Sequence, residues 1–278
     1  MKNVALLIFL MITFIACKTN KTEPVNNSLQ TKEITVNAPT ISSSSSDVEK
    51  KNSCPENMVH IFGEMCVRPL QKCIDWIDDP TLPYARCAEY DPDIECKGSK
   101  IHMNFCIDKF EASDDDKMPI ADISWTEASE KCSSRGVRLC RESEWTFACE
   151  GEDMRPYPYG LQRRSDLCNH DIGRELVCGK MLCDHRKPVN DSSLKDCSTP
   201  EGIVNMTGNI DEWVVLDTPH YSQKNGNRKM MSGLKGGWWG NLRNRCRPVT
   251  VDHDEYFHEL QTGFRCCSDV SLKTTNNL

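Results

Sequence analysis

Residues 202–214 read Gly-Ile-Val-Asn-Met-Thr-Gly-Asn-Ile-Asp-Glu-Trp-Val, with two asparagines, two carboxylates, two glycines and a tryptophan in thirteen positions. Asn205 and Glu212 offer oxygen donors at either end. Gly208, between Thr207 and Asn209, allows a tight backbone whose carbonyls turn to one side. Hard oxygen donors with inward-turned carbonyls suit a calcium ion. The same residues also read as a strand–turn–strand corner with Trp213 in the core. A second candidate is the stretch 251–258, where His253 and His258 lie among Asp252, Asp254 and Glu255. Histidine with carboxylate suits iron, whereas a solvated acidic loop has the same composition. A third is the aromatic pair Trp238 and Trp239 followed by Arg243, Arg245 and Arg247. Arginines at alternate positions of a strand form a cationic row on one face. Such a groove takes an extended peptide, a glycan or an anionic group. The other reading is core tryptophan with arginines paired to local acids. Cys168, Cys178, Cys183, His185 and Cys197 carry zinc-type ligands, but they lack a Cys-x-x-Cys knuckle.

Those side chains must be positioned by a chain of 278 residues, with formal charge −7 and pI near 5.6. That balance argues against a nucleic-acid partner or an anionic membrane surface. Lys2 and the apolar run 4–15 read as an export signal, too short to span a bilayer. Ala16-Cys17 resembles a bacterial lipoprotein box, so residues 1–16 are expected to be a signal peptide and Cys17 the lipidated residue. Residues 17–53, with five consecutive serines at 42–46, then read as a flexible tether. The expected location is a membrane-anchored lipoprotein of the bacterial cell envelope. Setting Cys17 aside, 17 − 1 leaves sixteen cysteines and up to eight disulfides. Disulfides suit an exported chain better than zinc.

Residues 54–100 hold five cysteines and several prolines, and read as a stapled, loop-rich extension. One of the five must pair outside the block, with Cys106 the nearest candidate. Ser124-Trp125-Thr126-Glu127 is a capping box that opens a helix running to about Arg135, stopped by Gly136. A second helix is predicted over 142–149, with Trp145 and Cys149 facing in. Beyond Gly151 turn residues dominate.

Several motifs in order resemble the formylglycine-generating enzyme (sulfatase-modifying factor) family. Asn205-Met-Thr-Gly208-Asn-Ile-Asp-Glu212-Trp213 is similar to its Asn-x-x-Gly-Asn-x-x-Glu-Trp signature. Phe105-Cys-Ile-Asp-Lys-Phe-Glu111 resembles its opening strand. Ile123-Ser-Trp-Thr-Glu-Ala128, Cys132, Arg138-Leu139 and Glu142-Ser-Glu-Trp145 resemble its paired helices. Tyr157-Pro-Tyr-Gly160, Lys235-Gly-Gly-Trp238, Arg245-Cys-Arg247 and Gly263-Phe-Arg-Cys266 resemble its later turns and closing strands. Where the family has Pro-Thr before the second helix, Cys140-Arg141 stands here, and Cys140 is expected to compensate with a covalent tie. The resemblance implies a disulfide-rich α+β, C-type-lectin-like sulfatase-modifying-factor fold with little regular secondary structure, over residues 101–268. Residues 269–278 are then a disordered tail. It implies disulfides Cys132–Cys266 and Cys149–Cys246. It implies a structural calcium held by the side chains of Asn205 and Glu212 and backbone oxygens of Thr207, Gly208 and Ile210, with Asn169 as ligand to another calcium. It also implies that the strand of Arg243 and Arg245 lines a substrate groove. Oxidising members hold copper with two cysteines after the Gly-Gly turn, and soft thiolates select Cu(I). Residues 236–245 contain no cysteine, so copper is not expected. The reading that results is a cell-envelope lipoprotein acting as a calcium-stabilised binding or structural module, with a peptide, glycan or protein ligand. The alternative is a divergent metal- and oxygen-dependent modifying enzyme, with iron at His253 and His258.

Overall fold

The computed structural model describes residues 52–114, 117–171, 177–178, 181–182, 188–190, 193–222 and 226–272. The expected signal peptide 1–16, the expected lipidation at Cys17 and the expected tether up to residue 51 fall outside the described residues, as do 273–278.

Two four-stranded sheets carry the fold. The first is built on β1 (Met58–Cys66), which pairs antiparallel with β4 (Lys100–Asp108) from Met58↔Asp108 to Cys66↔Lys100. Alternation sets its inner face: Ile61, Gly63 and Met65 are buried while Phe62 and Glu64 are exposed. Between β1 and β4 the chain makes a smaller hairpin, β2 (Cys73–Trp76) with β3 (Cys87–Tyr90). The boundary expected at residue 100 is therefore corrected. The block 54–100 is not a separate extension, because nine residues of β1 complete the main sheet.

Helix α1 (Trp125–Ser134) starts where the capping box places it. The Ser124 hydroxyl accepts from the Glu127 N–H at 3.3 Å, and the Ser124 N–H donates to the Glu127 carboxylate at 3.0 Å. Gly136, at φ +74°, turns the chain out of the helix into β5 (Arg138–Leu139). Helix α2 (Glu142–Glu150) buries Trp145, Ala148 and Cys149 against Ile61, Met103, Phe105 and Ile107. The second sheet pairs β6 (Asp211–Ser222) antiparallel with β7 (Arg228–Lys235). β8 (Val249–Thr250) lies beyond β7, and β9 (Thr262–Phe264) runs parallel to β6. β10 (Cys266–Asp269) returns to the first sheet between β4 and β5.

Among the described residues seven disulfides close the structure: Cys54–Cys106, Cys66–Cys96, Cys73–Cys87, Cys132–Cys266, Cys140–Cys267, Cys149–Cys246 and Cys168–Cys197. Adjacent Cys266 and Cys267 point to opposite faces of β10. One holds α1 and the other the turn before α2, the tie expected of Cys140. Cys168 and Cys197 bind each other rather than zinc, and Cys183 and His185 lie outside the described residues. Such cross-linking marks an extracytoplasmic protein. No helix among the described residues is long and apolar enough to cross a membrane. Asn52 and Ser53 pair with Leu272 and Ser271, so the tether and the tail are ordered where they meet. The boundaries at 53 and 269 move accordingly: Cys54–Cys106 brings the start of the domain beside β10, leaving its last residues a strand to pair with.

Candidate functional site

The turn before β6 is buried throughout, from residue 203 to residue 210. Asn205, Gly208 and Asn209 have φ of +58°, +79° and +61°. A Cβ at Gly208 would meet the Asn169 carbonyl oxygen at 2.5 Å, so only glycine fits. The Asn209 N–H donates to that carbonyl at 2.9 Å, and the Asn169 amide donates to the Asn209 side-chain oxygen at 3.0 Å. Asn169 therefore braces this turn. The side-chain amides of Asn205 and Asn209 both donate to Oε2 of buried Glu111. Thr207 and Ile210 lie fully buried within the same turn.

Glu212 faces elsewhere. Its carboxylate accepts two hydrogen bonds from Arg265, both at 2.6 Å, and one from the Trp145 indole at 2.7 Å. Arg265 also donates to the carbonyls of Val204 and Asp108. Both partners are 0% exposed. A charge taken out of water needs this kind of matched, bidentate partner. The residues expected to share a calcium, Asn205 and Glu212, have different partners here. The cation at Glu212 is a guanidinium, and Asn205 turns to Glu111. Calcium affinity depends on ligand charge, and a carboxylate already neutralised does not fit the role.

The stretch after the Gly236-Gly237 turn carries the expected arginines, but the strand expected of them is corrected: residues 236–248 run as successive bends, and the next strand is β8. Gly237, at φ +69°, sits where a Cβ would come within 2.6 Å of the Leu242 carbonyl oxygen, so the chain folds back sharply. Arg243 and Arg245 line a cavity of about 390 Å³ together with Arg86, Arg163 and Arg247. The tryptophans do not line it. Trp239 is buried to 1% and meets Trp238 edge-on, with centroids 5.2 Å apart. Its place in a groove is corrected to the core, where an indole ring gains most by leaving water. Three arginines are matched: Arg86 to Asp78 at 2.8 Å, Arg163 to Asp171 at 2.7 Å, and Arg247 to Glu150 at 2.7 Å. Burial raises the Asp171 carboxyl, but hydrogen bonds from His170 and Arg163 outweigh it and hold the group well below the ordinary range. Burial pushes the Asp211 carboxyl up to about 7, against the pull of Arg243. Lys235, over the Trp145 ring at 5.3 Å, is pushed down to about 8 by burial.

The two candidate histidines do not converge. His253 stacks on Phe257, with centroids 3.8 Å apart, and His258 bonds Asp122 at 2.8 Å. Asp122 raises the exposed His258 imidazole. Among the described residues no group of three His, Cys, Asp or Glu side chains gathers to hold a metal ion. The iron site expected from 251–258 is corrected: two stacking or ion-pairing partners occupy the imidazoles. Sequence reasoning missed Glu111 and Arg265 as partners of the signature, although both stand in motifs that resemble the family. Arg86 and Arg163 carried no local signal.

Residues 84–270 match a family described as the Sulfatase-modifying factor enzyme 1-like domain. The inactive C-alpha-formylglycine-generating enzyme 2 of Bos taurus is 27% identical over 159 residues, covering 55% of this chain and 50% of that protein. Its Mus musculus counterpart is 26% identical over 161 residues, with the same shares. The chain thus spans about half the length of the curated relatives it matches. The crystal structure of CarF superposes with a TM-score of 0.50 at 15% identity, covering 78% of this chain and 99% of that one. At that identity the likeness carries the fold alone.

Proposed function

The chain belongs to the sulfatase-modifying factor enzyme 1-like family, and on that premise we propose that it is a non-oxidising binding module carried on a lipid-anchored protein of the bacterial cell envelope. One observation carries this reading. Residues 236–245, after the Gly-Gly turn, contain no cysteine, and Cys246 is bridged to Cys149. Copper-dependent oxidation of a peptide cysteine needs soft thiolate ligands, and this segment supplies none. What it supplies is guanidinium groups facing a cavity, which suits recognition. The curated relatives are named as inactive enzymes, which supports the same reading. Calcium is not carried into it, because Glu212 already neutralises Arg265. The Ala16-Cys17 leader and the extracytoplasmic chemistry of the disulfides support the envelope location.

The test is direct. Full-length protein is incubated with copper, oxygen and a sulfatase-type cysteine peptide, and the product is weighed by mass spectrometry. No aldehyde is expected, and its appearance overturns the reading. Cys17→Ser is expected to move the protein from the membrane fraction to the soluble fraction; retention on the membrane sinks the lipid anchor.

A further inference from the structure

We propose that the arginine-lined cavity is a binding site for an oxyanion, a carboxylate, sulfate or phosphate group carried on a small ligand. Five guanidinium groups line its volume of about 390 Å³, a size suited to a small molecule. They are not equally matched by the protein's own acids. Asp78, Asp171 and Glu150 each form close ion pairs with Arg86, Arg163 and Arg247. Arg243 has only Asp211, at 3.8 Å, and its Nε is buried without a hydrogen-bond acceptor. Among the described residues no ion pair forms at Arg245. Its Nη1 donates to the Tyr90 hydroxyl, and its guanidinium stands 6.0 Å from that ring. The two under-matched cations lie two residues apart in one tight turn, where the Arg245 N–H donates to the Arg243 carbonyl at 2.7 Å, and both line the cavity.

The backbone gives an independent reason. Arg243 has φ of +60°. A long side chain in the left-handed region is strained and persists where the surroundings enforce it, and such outliers concentrate at ligand sites. Here the enforcement is visible. The Asn244 side-chain amide donates to the Trp238 carbonyl at 2.6 Å, and Cys246 is bridged to Cys149 two residues later. Across the cavity, the disulfide Cys73–Cys87 fixes the wall that carries Arg86. The guanidinium fork is thus held ready for a two-oxygen acceptor. Exposed Tyr84, also on the lining, offers a ring face to whatever carries the anion.

This inference rests on the reading of the cavity as a recognition site, and it can fail separately from the absence of oxidation. Aldehyde formation would overturn the non-oxidising reading without touching anion binding. The experiment is titration calorimetry of the full-length protein, at fixed ionic strength in low chloride, with sodium sulfate, sodium phosphate and phenyl phosphate as probes. Saturable binding of at least one probe at millimolar concentration or below is expected. Arg243→Gln and Arg245→Gln should each weaken it about tenfold or more, since a charge-assisted pair is lost. Arg164→Gln, an exposed arginine paired with Asp166 outside the cavity, should leave affinity unchanged. Tighter binding of phenyl phosphate than of inorganic phosphate would assign the ring contact to Tyr84. The proposal is overturned if no probe binds saturably. It is equally overturned if the two cavity variants bind as wild type, or if Arg164→Gln weakens binding as much as they do. Near-ultraviolet circular dichroism of each variant separates lost binding from lost fold.

Discussion

Two groups of arginine do opposite things in this molecule. Arg265 is sealed from water, and it donates to Glu212 and to two backbone carbonyls. Arg243 and Arg245 sit at a cavity wall, half-buried, with more positive charge than the local acids cancel. The first arrangement leaves no direction in which a ligand could improve it. The second is incomplete without one. The family signature around residues 205–213 therefore acts in this chain as a structural knot. On the proposed reading, recognition falls to a surface whose residues lie scattered through the sequence.

The sharpest way to break that comparison is to make one substitution in both places. Arg265→Gln removes the countercharge of a buried carboxylate and should destabilise the fold by about 3–5 kcal/mol, or prevent folding. Arg245→Gln loses one contact to Tyr90 and should change stability by no more than about 0.5 kcal/mol. Urea unfolding of the two variants reads the difference. Equal losses would mean that Arg245 is as structural as Arg265. The cross-links give the next largest effect. In the loop-entropy description, Cys132–Cys266, with a separation of 134 residues, stabilises more than Cys73–Cys87, with 14. The expected gap is about 2 kcal/mol. Serine pairs at each site, compared by thermal melting, measure it. Removing Cys73–Cys87 should in addition weaken anion binding, because that bridge fixes the cavity wall.

What the sequence made legible follows chain distance. Helix α1 was readable from Ser124, Glu127 and Gly136 because a cap is settled within a few residues. Trp213 was readable as core within a strand–turn–strand corner. The pairing of β1 with β4 was not, since nothing local to residues 58–66 names a partner some forty residues on. The guanidinium partner of Glu212 was hidden for the same reason: it lies 53 positions away. Oxygen ligands for calcium and oxygen acceptors for arginine look identical in one dimension. The cavity was half legible. Arg243 and Arg245 were legible as neighbours in one short segment, although the strand expected of them is a turn, whereas Arg86 and Arg163 arrive through the fold.

Lys235 sharpens the comparison with pH. Its ammonium is buried in the dry region, donating to the Arg247 carbonyl at 2.9 Å, and burial holds it near 8 against an ordinary 10.5. The folded state therefore binds fewer protons than the unfolded state between those values. Stability should rise with pH through the window from about 8 to about 10.5, by at most about 1.4 kcal/mol per pH unit. Below 8 the cost of burying the charge is present in full. Lys235→Met should flatten that part of the stability profile. A wild-type profile that falls through the same window would show that the charged form is the one the fold prefers.

The smallest expected effect separates the two roles most cleanly. If Arg265 supplies the positive charge that Glu212 needs, a divalent cation has nothing to neutralise there. Excess EDTA should leave the melting temperature of the full-length protein unchanged, and added calcium should not raise it. Binding to the folded state alone would stabilise by RT ln(1 + [L]/Kd), so an ion present at 100 times its Kd would add about 2.7 kcal/mol and could not escape notice. A calcium-dependent rise that vanishes in Glu212→Gln would return Glu212 to the role of ligand and break the knot reading. A rise that survives in Glu212→Gln would place the ion elsewhere and leave the Glu212–Arg265 pair as it stands.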